Sequence, residues 1–100
     1  MASPALVVRH VLVFGRVHGV GFRAFVDDQS IALGLAGWVR NRRDGSVEAV
    51  FAGPADKVAQ AIEACRRGPP ASRVDRCVVT EAALDLVGGN RAGFLVLPTA

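Results

Sequence analysis

Tyrosine is absent from this 100-residue chain, and lysine, tryptophan and methionine occur once each. With aromatics at 6%, the expected strands hold few of them, and there is little from which to build a base-stacking platform for nucleic acid. Cysteine occurs twice, as Cys65 and Cys77, with no CxxC spacing and no histidine nearby in sequence. That pattern argues against a disulfide framework or a metal site and predicts two buried free thiols. Long apolar runs are missing too. Every apolar window of the roughly 20 residues that a membrane helix needs is broken by Arg, His or Asp, so no span is expected. The start, Met1-Ala2-Ser3-Pro4, lacks the basic residues and following apolar run of a signal peptide. A cytoplasmic protein with no membrane partner is the expectation.

What is present fits one domain over residues 1–100, large enough for a core of its own. Hydrophobic residues make up 51% of the chain, and mean hydropathy is +0.33. The net charge of +3 and pI near 9.7 rest on arginine, since Lys57 is the single lysine. A basic balance suits anionic ligands. Apart from Arg40, Arg42 and Arg43, however, the cations are dispersed, as on an ordinary solvated surface. There are no repeats and no low-complexity tail.

Val7 to Phe14 reads as a strand. Phe22, Phe25, Val26, Gln29, Ala32 and Leu33 then share one helical face, with Gly34 as the stop. Trp38 to Arg42 and Val47 to Phe51 read as strands joined at Asp44-Gly45, a strong hairpin signal that leaves the turn length and register open. Gly53-Pro54 opens a second helix, with Pro54 expected at its first position. Val58, Ile62 and Cys65 lie on its inner face, and Gly68-Pro69-Pro70 ends it. Arg73 to Thr80 forms a fourth strand and Phe94 to Leu97 a short terminal one. The segment from Glu81 to Gly93, with Gly88-Gly89-Asn90, reads as a loop of undetermined path. The order βαββαβ with a short terminal strand is the split βαβ, or ferredoxin-like, α/β (α+β) sandwich. It predicts an antiparallel sheet with two helices on one face.

The most informative stretch is Gly15-Arg16-Val17-His18-Gly19-Val20-Gly21-Phe22-Arg23, between the first strand and first helix. Three glycines let backbone N–H groups turn toward one point, and a helix N-terminus adds free donors. That combination predicts an anion site, best suited to a phosphoryl group. Arg23 sharpens it. A cation in the first helical turn opposes the helix dipole by roughly 0.3–1 kcal/mol, and a bound anion would turn that conflict into an attraction.

Other readings of the loop fit less well. A Walker A sequence requires Gly-Lys-Ser/Thr, which is missing. Gly19-Val20-Gly21-Phe22-Arg23-Ala24 matches a relaxed dinucleotide fingerprint, and Asp44 follows at about the 20 residues expected of a ribose-binding acid. Asp44, however, sits in a hairpin turn instead of after a parallel crossover. A ferredoxin-like RNA-binding module is the alternative from another functional class, but Phe22 and Phe25 fall on a helix where such modules need strand aromatics. An ordinary tight turn with a surface arginine would also satisfy the loop taken alone. Asn41 shifts the balance. If Val39 faces the helices, Asn41 shares its side and projects toward the helix that starts near Arg23, offering a donor and an acceptor without charge.

At this point the chain resembles the acylphosphatases. The carrying residues are the Gly15–Arg23 loop, Leu33-Gly34-Leu35-Ala36-Gly37-Trp38-Val39-Arg40-Asn41 and Asp44-Gly45-Ser46-Val47-Glu48-Ala49, with breaks at Gly53-Pro54 and Gly68-Pro69-Pro70. The resemblance covers almost the whole chain. It implies hydrolysis of acyl phosphates to a carboxylate and inorganic phosphate. It further implies that Arg23 and the loop amides of Arg16, Val17, His18, Gly19 and Val20 hold the phosphoryl group while Asn41 orients the attacking water. Two departures stand out. His18 occupies a position where Gln is frequent and is expected to shape the loop without transferring a proton. Arg42 replaces a common Thr beside Asn41, where a cation could bear on substrate preference or water placement.

The implied chemistry needs little from the protein besides position and charge, because a carboxylate leaves without protonation. No cofactor, metal or protein base is expected, and a monomer acting on a small molecule, not nucleic acid, is the expected form. Asp27 and Asp28 diverge by about 100° around their helix and read as dipole-favouring acids. His10 and His18 alone are too few for a metal site.

Overall fold

The computed structural model describes residues 5–88 and 93–100. In chain order these form β1 (Leu6–Arg16), α1 (Phe22–Ala32), β2 (Ala36–Asn41), β3 (Val47–Pro54), α2 (Ala55–Arg67), β4 (Arg73–Glu81), a short 3₁₀ turn (Leu84–Val87) and β5 (Phe94–Val96). The sheet order is β4-β1-β3-β2-β5. The first four strands pair antiparallel, and both helices join parallel strands with one strand inserted between them. This is the expected split βαβ arrangement. The fifth strand departs from an all-antiparallel sheet by running parallel to β2, with Trp38 opposite Leu95. Its direction follows from its route. The chain leaves β4 at one edge and crosses the sheet to the other, where the incoming strand runs with β2.

Strict alternation divides the residues between two faces. Val11 and Val13 of β1, Val39 of β2, and Val47, Ala49 and Phe51 of β3 point to the helices, where they meet Phe22, Val26, Val58, Ala61 and Cys65. At about 25 cal/mol per Å² of apolar surface buried, this cluster is the main favourable term in folding. Both helices thus bury the predicted faces in the main, although Ala32 is exposed and Ser30 is buried in its place. Cys65 is buried, which pushes its thiol up to about 12, while Cys77 is only half-buried. The opposite sheet face carries a smaller cluster of Trp38, Val50, Ala52 and Val87. Val87 arrives on the crossing segment, and the Trp38 indole N–H donates to the Leu86 carbonyl at 2.8 Å. Part of the loop from Glu81 to Gly93 thus covers the sheet face that the helices leave open; residues 89–92 lie outside the described residues.

Several strand boundaries differ from the sequence reading by a residue or more, β2 for example covering Ala36–Asn41 and leaving out Arg42, and two of the differences have identifiable reasons. β1 continues past Phe14 because a bulge at Phe14/Gly15 restores its pairing with β4 up to Arg16 opposite Arg73. Pro54 is the last residue of β3, opposite Leu6, and the N-cap of α2 instead of its first helical residue. The ladder holds its backbone extended, at ψ 140°, so the helix begins one residue later. The hairpin is a three-residue one. Arg42 N–H donates to the Ser46 carbonyl at 2.9 Å, Gly45 N–H to the Arg42 carbonyl at 3.1 Å, and Gly45 takes φ 94°. That is a type I turn followed by a left-handed glycine, and it places Asn41 opposite Val47.

Candidate active site

Val17 and Phe22, each 2% exposed, anchor the two ends of the β1–α1 loop in the core, so the backbone between them must bulge into solvent. Gly19 and Gly21 take φ 69° and 78°, and no other residue type in the described chain has positive φ. A Cβ on either glycine would meet nothing within 4 Å, so the loop needs glycine for its backbone conformation and not for room. Left-handed residues alternating with ordinary ones let consecutive N–H groups face one point. The N–H groups of His18, Gly19, Val20 and Gly21 donate to no acceptor among the described residues, and the first α1 bond runs from Phe25 N–H to the Gly21 carbonyl at 3.0 Å. The amides of Phe22, Arg23 and Ala24 are left as the unpaired donors of a helix start. No side chain caps that start and no acid lies in its first turn.

A cleft of about 340 Å³ opens over this loop. Val17, Gly19, Gly21 and Arg23 form one wall and Asn41 faces them from β2. The condition set by the sequence is met, since Val39 is fully buried under the helices and Asn41 lies on its side of the strand. Arg23 is exposed and makes no hydrogen bond or ion pair with the described residues. The Asn41 side chain is half-buried and has no partner among them either, while its backbone carbonyl accepts the Ala100 N–H at 3.0 Å. A free guanidinium, a fan of free amides and an uncommitted carboxamide therefore converge on one space.

The side chains of the other residues singled out from sequence lie around this centre and not in it. Arg16 closes the β1 ladder opposite Arg73 with its side chain exposed, and Val20 packs against the core. His18 turns to the hairpin, where its Nε2–H donates to the Ser46 carbonyl at 2.8 Å. A carbonyl can only accept, so Nε2 carries the proton. The ring thereby ties the glycine loop to the turn that follows Asn41, and the amide of a Gln could make the same bond. Arg42 turns away from the cleft, with Nη1 3.2 Å from Glu48 Oε1 and Nε 3.9 Å from Asp44 Oδ2. Asp44 accepts from both the hydroxyl and the backbone N–H of Ser46, and these bonds hold its carboxyl below the ordinary 3.8.

Three cleft residues escaped the sequence reading, Ala24 and Asp27 of α1 and Val96 of β5. Asp27 lines the same wall as Arg23; its position four residues along the helix was the available signal. Val96 closes the cleft from β5, and nothing in the sequence announced it, because the path of the preceding loop could not be derived.

The fold and the site together define a small α+β domain whose glycine-rich helix start presents unpaired amides and an arginine across a cleft from a neighbouring strand. The acylphosphatase family model matches residues 9–89. An acylphosphatase of Nitrobacter hamburgensis is 64% identical over 95 residues, covering 93% of this chain and 96% of that protein. One from Rhodopseudomonas palustris BisB18 is 55% identical over 95 residues with the same coverage. The crystal structure of acylphosphatase from Bacillus subtilis superposes with a TM-score of 0.83 at 38% identity, covering 93% of this chain and 99% of that one. The chain belongs to the acylphosphatase family and is an enzyme of that family. No helix among the described residues is long and apolar enough to cross a membrane.

Proposed function

We propose that this protein hydrolyses small acyl phosphates by holding the phosphoryl group on Arg23 and the amides of the Arg16–Val20 loop, with Asn41 placing the water. The observation that carries this division of roles is the meeting of Arg23, the unpaired loop amides and the Asn41 carboxamide in one cleft. The guanidinium and amides hold the equatorial oxygens, where charge accumulates in the transition state. Asn41 accepts a proton of the water in a hydrogen bond and aims its oxygen at phosphorus from the side opposite the leaving group. The new P–O bond forms as the bond to the acyl oxygen breaks. The electron pair departs with the carboxylate, and the water's proton passes to a phosphoryl oxygen of the substrate. The reaction therefore needs no protein base and no added metal. The proposed setting is the cytoplasm, with the chain acting as a monomer.

The test compares phosphate release from a simple acyl phosphate, a phosphate monoester and a metal-chelated control, with RNA binding measured in parallel. Release from the acyl phosphate alone, undiminished by chelator, is the expected result. RNA affinity that persists at moderate salt with no phosphate release would instead favour the RNA-binding alternative. The buried positions of Phe22 and, in part, Phe25 weigh against that alternative, since their rings pack edge-on at 6.2 Å under the helix and offer no stacking surface.

A further inference from the structure

Asn41 is flanked in sequence by Arg40 and Arg42, and alternation sends those two side chains to the sheet face opposite the cleft. Both end on one carboxylate. Glu48 Oε1 accepts from Arg40 Nε at 2.7 Å and from Arg42 Nη1 at 3.2 Å, and its Oε2 accepts from His10 Nε2 at 2.7 Å. The Glu48 side chain is 8% exposed, so these donors replace nearly all of its water. The Arg40 guanidinium is held again by the Trp38 ring, 4.7 Å below it.

We propose that Glu48 is a positioning residue for Asn41, holding its two neighbours so that the carboxamide is aimed into the cleft. The proposal rests on the water-placing role given to Asn41 above. The Asn41 amide has no hydrogen bond among the described residues, so its direction is set by its backbone. A strand residue next to a hairpin swings when its peptide planes rotate, and that rotation would carry the residues on either side in the opposite sense. Clamping both of those residues to one buried group blocks it. Without the carboxylate, two guanidinium groups are left side by side on the same face, and their repulsion drives the strand end apart.

The test is a pair of kinetic cycles on the whole protein. Glu48→Ala should lower kcat about 10-fold, less than the hundredfold that a full ångström of misplacement costs, while KM and inhibition by inorganic phosphate stay as in wild type. Glu48→Gln keeps the size and one acceptor for the arginines, and should restore most of the lost kcat. In an Asn41→Ala background, Glu48→Ala should cost nothing more, because the group it aims is gone. Arg42→Ala leaves Glu48 paired with Arg40 and His10, and serves the same cycle if Glu48→Ala does not fold. An equal loss of kcat in both backgrounds, or a loss that appears in KM, overturns the role of Glu48. A wild-type kcat in Asn41→Ala alone overturns instead the role given to Asn41.

Discussion

Helix α2 starts after Pro54 with Asp56 in its first turn, beside Lys57, and ends with Arg66 and Arg67 in its last, so an acid at its start and two cations at its end sit where the dipole favours them. Neither start has a side-chain cap, but helix α1, which starts after Gly21, has no acid at all in its first turn to offset Arg23, where a cation is disfavoured. Both helices follow a strand and pack on the same sheet face, α1 after the glycine loop and α2 directly from the end of β3. The second start pairs its first amide with the Ala5 carbonyl at 2.8 Å and carries an acid, while the first leaves its loop amides and its arginine uncommitted. The difference is what the proposed anion site would cost its own element, and it separates substitutions that should act on chemistry from those that should act only on folding.

The comparison breaks most severely at Arg23. Arg23→Ala should lower turnover of an acyl phosphate by roughly 10²–10³-fold, the scale for losing a preorganised electrostatic contact, and should weaken phosphate inhibition as well. Asp56→Ala, at the corresponding end of α2, should leave both unchanged. Steady-state kinetics with phosphate as product inhibitor checks the pair. Similar losses in the two variants would mean that the α1 start is not special.

Asn41→Ala comes next. It should cost about 10²-fold in kcat, as expected when a reacting group loses its placement, yet leave phosphate affinity near wild type. Equal losses of phosphate affinity in Arg23→Ala and Asn41→Ala would show that the two do not divide binding from water placement.

Ligand-linked stability gives a smaller but independent reading. Phosphate bound only by the folded protein stabilises it by about 1.4 kcal/mol at ten times its dissociation constant. For a domain of this size that raises Tm by several degrees, at roughly 4–8 °C per kcal/mol. The shift should saturate, exceed that from chloride at matched ionic strength, and shrink strongly in Arg23→Ala. Equal stabilisation of both proteins would place the anion somewhere other than the α1 start.

Much of this contrast was legible before any coordinates. Glycine spacing, an arginine just after the last glycine, and the periodicity of Phe22 and Val26 located the loop and the helix, because these signals depend on backbone conformation and side-chain spacing alone. The Asn41 face could be stated only conditionally, since a strand's two sides become distinct only when something packs on one of them; the burial of Val39 supplied that. Asp27 reads in the sequence as a dipole-favouring acid, but α1 starts at Phe22, which leaves Asp27 beyond the first turn, and only the tertiary position of the helix puts it on the cleft wall. The turn length, the bulge at Phe14/Gly15 and the direction of β5 were out of reach for a different reason. Each is decided by pairing between segments far apart in the chain, and local propensity carries no record of it.

The smallest expected effect concerns the free protein, and its sign matters more than its size. With no anion bound, Arg23 opposes the α1 dipole, so Arg23→Ala should stabilise the fold by roughly 0.3–1 kcal/mol. The exposed side chain gives up little packing, and alanine is at least as good a helix former as arginine. A compensating pair with Asp27 is not there to be lost, since no ion pair joins them in the structure and an arginine placed before its acid is the weaker orientation on a helix. Asp56→Ala should move stability the other way by a similar roughly 0.3–1 kcal/mol, because its carboxylate favours the α2 start. Urea denaturation in a phosphate-free chloride buffer measures both. Saturating phosphate should then invert the order of wild type and Arg23→Ala while leaving the Asp56→Ala deficit unchanged. If Arg23→Ala is already the less stable protein without phosphate, Arg23 supports its helix, and the conflict that marked this loop as an anion site does not exist.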